Sequence, residues 1–254
     1  MTGFRAFLWK EFVEIRRTWR IWVIPGMLVF FGVTSPIIAA LTPGLVRSMA
    51  ASQPGVVIHM PPPTALDAYA QLLKNLNQFV LIAVIITGAA AVSGERSSGT
   101  AVLALTKPLS RRAFVLAKIL SQVTLLIAAT VLGAAACLAV TAAVFGVAHP
   151  ARVATAMALW LLYASLLIVV MTLFSAAFRS RGAAAGAGLG FYFLALLLSA
   201  WGPAARYSFL GLMSSMRDAL MGEPVSSGWP VATAVAAIVV GVVAALGTFE
   251  RQEL

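Results

Sequence analysis

Residues able to do chemistry are scarce in this chain of 254 residues: two aspartates (Asp67, Asp218), two histidines (His59, His149) and one cysteine (Cys137). Nucleotide hydrolysis by the phosphate-loop route needs a Gly-rich turn ending in Lys-Ser/Thr, with an acidic residue to hold magnesium. No Gly-Lys dipeptide occurs, so that route is excluded. Intramembrane proteolysis needs an aspartate pair, a Ser/His arrangement or zinc ligands, and the histidines lie far apart, outside the apolar runs. Cys137 sits alone inside an apolar run, which excludes a disulfide and a cysteine zinc site. His59-Met60 offers copper-compatible donors, but two adjacent residues are too few ligands. The expectation is no catalytic residue, no metal and no cofactor in this chain.

Two polar or small-residue patterns remain. Gly94-Glu95-Arg96-Ser97-Ser98-Gly99-Thr100 opens a segment that continues through Val102, Leu103 and Leu105 to Lys107-Pro108-Leu109-Ser110-Arg111-Arg112. An ordinary loop accounts for the arginines alone. It does not account for a lone glutamate beside an arginine, or for an apolar helical turn within the loop. This segment looks built to meet another protein. Glu95 and Arg96 read as exposed and opposite in sign, and an exposed pair contributes only ~0–1 kcal/mol. Docking by Val102, Leu103 and Leu105 should therefore supply most of the affinity, with the charges setting register. The second pattern is Gly182, Gly186 and Gly190, with Gly188 between. No strand precedes them, so a nucleotide loop is disfavoured. Small residues at this spacing let two helices approach closely.

The elements that must position these residues are membrane helices. Hydrophobic residues make up 61% of the chain and charged residues 10%, against about a quarter charged in a soluble domain. Long runs of Leu, Ala, Val and Gly favour helices over the alternating pattern of a barrel. The predicted fold is an all-α integral membrane domain over residues 1–254, with spans near 21–41, 75–93, 114–145, 153–178, 182–201 and 229–249. Residues 94–112 form the polar loop between the second and third. Before the first span, Phe4, Leu8, Phe12, Ile15 and Trp19 fall on one arc at helical spacing, with Lys10, Glu14 and Arg17 opposite. Residues 1–20 therefore read as an interfacial helix lying in the membrane plane. Pro61-Pro62-Pro63 ends a stretch from Thr42 that cannot be helical throughout, and Thr64-Ala-Leu-Asp67 has the form of a capping box. Ser110 is placed to cap the third span. Phe209, Leu212, Met213, Met216 and Leu220 recur at helical spacing in a segment too short to span, an amphipathic or re-entrant piece at the outer face.

Charge sets the orientation. With the amino end inside, thirteen lysines and arginines lie on the inner side, Lys118 among them, and five on the outer side. That bias puts both termini in the cytoplasm of a multi-pass cell-membrane protein. The net charge of +10 is spent on this rim, so nucleic acid is not an expected partner. No ionisable residue is expected near the middle of a span, which argues against an ion-coupled carrier. The amino terminus shows no cleavable signal pattern.

At the in-plane helix, Glu95-Arg96…Gly99-Thr100, Lys107-Pro108…Ser110-Arg111, Phe114-Val-Leu-Ala-Lys118 and the closing Phe249-Glu-Arg251-Gln-Glu253-Leu, the sequence resembles the type-two permease family of ATP-binding-cassette exporters, over nearly the whole chain. It departs from the family pattern in the tail, where Glu250 and Glu253 dilute the usual basic run. The resemblance implies a half-transporter: two permeases, the second a copy or a paralogue, with two separate ATPase subunits that bind ATP and magnesium. It makes Glu95, Arg96, Gly99, Thr100, Val102, Leu103 and Leu105 the coupling element, and Arg179 and Arg181 a second, minor contact. Membrane lipid is the surrounding partner, and the lack of intramembrane charge favours an amphipathic or lipophilic cargo. A channel or ion-coupled carrier, or a membrane scaffold without transport, are the competing classes.

Overall fold

The computed structural model describes residues 2–51, 61–97, 99 and 109–251. Among these, no strand occurs, and six helices are long and apolar enough to cross a membrane: Ile21–Ala50, Ala65–Ser97, Arg111–Phe145, Pro150–Ala177, Arg181–Ser199 and Gly228–Glu250. Large apolar side chains face outward along them, including Trp22, Phe30, Leu41, Leu197, Val240 and Val243. Water would penalise that belt, whereas hydrocarbon accepts it. The chain is an all-α integral membrane protein.

In chain order, α1 (Thr2–Arg17) leads into α2 (Arg20–Ala51). The latter passes through Pro25, Pro36 and Pro43 and runs ten residues beyond the expected end at Leu41. A proline in a helix removes one hydrogen bond. With no water to offer the backbone a substitute, continuing the remaining turns costs less than unwinding them.

The second span is composite: α3 (Ala65–Asn75), a π-helical turn over Leu76–Val80, α4 (Leu81–Ala89), a break at residues 90–92, and α5 (Ser93–Ser97). At its start the Asp67 carboxylate accepts from the Thr64 N–H at 2.8 Å and from its hydroxyl at 2.8 Å. Tyr192 donates its hydroxyl to the Asn77 carbonyl in the π turn at 2.6 Å, one satisfaction of a carbonyl that the wider turn takes off the regular ladder.

Next come α6 (Arg111–Phe145), α7 (Pro150–Ala177) and α8 (Arg181–Ser199). The Ser110 hydroxyl accepts from the Ala113 N–H at 3.1 Å and the Ser180 hydroxyl from Ala183 at 3.0 Å, the reach of an N-cap in each case. The segment before the last span is helical in pieces, α9 (Gly202–Tyr207), a 3-10 turn and α10 (Leu212–Met221), and α10 buries Leu212, Met216, Ala219 and Leu220. Helix α11 (Gly228–Glu250) closes the bundle.

Helix α7 is the hub, packed by α4, α6, α8, α10 and α11, while α2 lies along α6. That last approach is made by glycine: a Cβ on Gly133 would stand 2.8 Å from the Leu28 carbonyl oxygen. The predicted packing glycines make no such approach within this chain. Gly182, Gly186 and Gly190 have nothing within 4 Å of a Cβ position, and Gly188 is the one in close contact, with Ile85 Cγ2 2.9 Å away. The spacing of four selected the outward face of α8; its inward face lies half a turn away.

Candidate functional site

Both ends of the described chain meet at one face of the bundle, called basal below. There Phe7 of α1, Phe114 of α6 and Phe249 of α11 form a ladder, with ring centroids 5.1 Å and 5.2 Å apart. Arg111 donates to the Glu250 carbonyl at 2.9 Å, and Arg112 pairs with the Glu250 carboxylate at 2.6 Å. The acidic tail residue is thus matched to the opening of the third span. Glu253 lies outside the described residues.

Above this ladder is a cluster of five charges from three segments. Lys118, the eighth residue of α6, is buried, and its ammonium donates to Glu95 at 2.7 Å and to both oxygens of Glu11 at 3.2 Å. Lys10 donates to the same Glu95 oxygen at 3.0 Å and to Glu11 at 3.1 Å, and also pairs with Glu14. The Lys118 ammonium lies 5.0 Å from the centre of the Phe114 ring, and that of Lys10 lies 5.2 Å from the Phe7 ring. Aromatic faces add to the cation binding. Burial pulls the Lys10 ammonium toward neutrality, but the hydrogen bond to Glu14 and the charges of Glu11 and Glu95 outweigh it, so its pKa lies above the ordinary lysine value. Carboxylate oxygens of Glu11, Glu14 and Glu95 gather within 4.8 Å of one another. The positive charge that gathers them is the pair of lysines, and no metal is required to explain the arrangement.

Three readings from sequence change here. Glu95 is not exposed: only 9% of it meets solvent, and it is shared between Lys118 and Lys10. Lys118 is not a rim charge but the centre of the cluster, since a charge carried into an apolar span must bring its partners with it. The in-plane helix packs on the bundle through a stripe that the sequence reading did not name, and of the arc Phe4, Leu8, Phe12, Ile15 and Trp19 only Ile15 is buried within the chain. Its buried stripe is Phe7, Glu11 and Ile15, set against α6, with Phe4, Leu8 and Phe12 half-buried beside it and Trp19 exposed past the helix end. Glu11 escaped sequence reasoning because its buried partner, Lys118, is remote in the chain. The available signal was Lys118 itself, inside an apolar run.

The other candidates divide. Arg96 is half-buried and donates to the Ala176 carbonyl at 3.1 Å, while Arg181 donates back to Gly94 at 3.3 Å. The polar segment and the turn at 179–181 are therefore joined to each other. Arg179 is exposed. Gly99 is exposed with φ of 72°, a left-handed conformation that suits glycine. Thr100, Val102, Leu103 and Leu105 lie outside the described residues, as does His59.

Each lysine of the cluster is held by carboxylates from a different segment of the chain. The capacity of the cluster is mechanical, tying α1, the 93–97 turn and α6 into one piece.

The family described as ABC-2 family transporter protein matches residues 5–254. An uncharacterized transmembrane protein of Bacillus subtilis (strain 168), YxlG, is 24% identical over 185 residues, covering 73% of this chain and 72% of that protein.

Proposed function

The chain belongs to the ABC-2 family of transporter proteins, and from that premise we propose that it is the membrane permease subunit of an ATP-driven exporter. In this reading two permeases, identical or paralogous, enclose the path. Two separate ATPase subunits bind ATP and magnesium at the basal face, which is the cytoplasmic one, and this chain performs no hydrolysis itself. Residues 94–110 are the coupling element. Val102, Leu103 and Leu105 dock on the ATPase, and Arg179 makes the smaller second contact, Arg181 being engaged with Gly94. Spans this rich in apolar residues suit amphipathic or lipophilic cargo.

The observation that carries this reading is the Lys118 cluster. A stroke delivered to residues 94–110 needs a stiff receiver. Glu95, at the root of that segment, is fixed simultaneously to α6 through Lys118 and to α1 through Lys10. Exposed ion pairs are too weak to transmit load, whereas removing one member of a buried pair such as Lys118–Glu95 costs about 3–5 kcal/mol.

The test is co-purification from membranes. A soluble ATPase should accompany the wild-type chain in stoichiometric amount, and Leu103→Asp should lose it while the permease remains in the membrane. If no ATPase accompanies the wild type, the subunit assignment fails. If Leu103→Asp retains it, docking through this segment fails.

A further inference from the structure

The second span is broken at residues 90–92, just before the segment that carries Glu95. A break at that point would ordinarily uncouple the two sides, because it leaves backbone groups unpaired where little water reaches. One side chain from another span closes it. The Ser175 hydroxyl, fully buried near the basal end of α7, accepts from the N–H of Val92 at 2.9 Å and of Ser93 at 3.0 Å, and donates to the Ala89 carbonyl at 2.7 Å. This differs from the usual behaviour of a hydroxyl in a membrane helix, which bonds the carbonyl four residues back. Thr130, Thr155, Thr172 and Thr233 all do the latter. Ser175 instead spends its hydrogen bonds across the bundle. On either side of it, Arg96 reaches the Ala176 carbonyl and Arg181 reaches Gly94.

We infer that Ser175 is a positioning residue, a hinge pin that makes the 93–97 turn and the basal end of the fourth span a single rigid unit. Motion of the coupling segment then passes into α7, the hub of the bundle, instead of being lost at the break. The inference rests on the coupling role proposed above for residues 94–110. It adds a route that the chain connectivity does not supply, since that segment is joined covalently only to the second and third spans. The pin stays closed throughout the cycle; it is not a latch that opens.

The experiment uses the full chain, Cys137→Ala, in lipid nanodiscs, alone and with the ATPase that co-purifies. Hydrogen exchange reports the pin directly. In Ser175→Ala the Val92 and Ser93 amides should exchange about tenfold faster or more, and Ser175→Thr, which keeps the hydroxyl, should restore protection. Unchanged exchange in Ser175→Ala overturns the inference whether or not an ATPase binds. Transmission is read as the ATP-dependent change in maleimide labelling of Ala151→Cys, exposed in the first turn of α7 at its far end. That change should be present in the wild-type background, lost in Ser175→Ala with the ATPase still bound, and restored in Ser175→Thr. Its absence in the wild-type complex overturns delivery to the fourth span. The Ser93→Cys/Ser175→Cys pair, whose native oxygens are 3.3 Å apart, should keep the response when oxidised to a disulfide. Loss of the response there would mean that the contact must open, and would overturn the pin. Absence of the ATPase from the wild type strikes the subunit assignment instead, leaving the exchange result to judge Ser175.

Discussion

Lys118 shows how one charge in an apolar span constrains its surroundings. Its ammonium is buried with two carboxylates, Glu11 and Glu95, inside hydrogen-bond reach. Replacing it by methionine keeps volume and apolar stem but leaves those carboxylates facing each other with only Lys10 between them. Removing one member of a buried ion pair costs about 3–5 kcal/mol. Lys118→Met should therefore lower the thermal midpoint of the detergent-solubilised protein markedly, and Lys118→Met with Glu11→Gln should recover part of the loss. If the double variant is as unstable as the sum of the singles, the two residues are not coupled. Burial also changes what Glu95→Lys would do. As an exposed charge that only sets register, Glu95 would tolerate the change with the complex still assembled. In the structure it would set three ammonium groups together, so a folding defect is expected first. Glu95 was recognisable as a lone acid against the basic bias. The other carboxylate on Lys118, Glu11, 107 residues away along the chain, was not, because a local pattern of charges carries no information about which remote segment folds against it.

Among the elements, the closest interhelical approach argued above is that of α2 and α6 at Gly133, with the Leu28 carbonyl where a Cβ would be. Backbone cannot yield as a flexible side chain does, so Gly133→Leu should force the helices apart, at about 1–3 kcal/mol or more. Gly186→Ala, with nothing within 4 Å, should change the stability of the single chain by less than about 0.5 kcal/mol. Thermal unfolding of the two variants side by side checks the contrast, and equal losses would refute it. The spans were legible because hydropathy is a local property summed over some twenty residues. The Thr64–Asp67 and Ser110 caps were legible because a cap closes within three residues. The continuation of α2 through Pro43 was not, since proline lowers helix propensity whatever the solvent, and only the bilayer reverses the balance. Nor was the π turn at Leu76–Val80, where Tyr192 on a different span bonds the Asn77 carbonyl.

For the molecule as a whole, Ser180 belongs to the face that carries the charge cluster, and Ser227, just before the last span, to the opposite one. In a Cys137→Ala background, Ser227→Cys should label with an impermeant maleimide added outside intact cells, and Ser180→Cys only after permeabilisation. Labelling of both from outside would refute the six-span arrangement, and the reverse pattern would invert the proposed orientation. The cluster also bears on how the protein is made. Its five charges come from residues 10 to 118, so every member has been translated by the time the third span is complete. Lys118 can meet Glu11 and Glu95 while the fourth, fifth and sixth spans are still unmade, and need not wait in lipid as an unpaired charge. The ring that stacks on Phe114 from the other side, Phe249, is synthesised near the end. Translation order therefore lets both lysines of the cluster find carboxylates before the aromatic cover is made, so a ribosome stalled between those points would leave an unfinished bundle whose ammonium groups are already matched at its base.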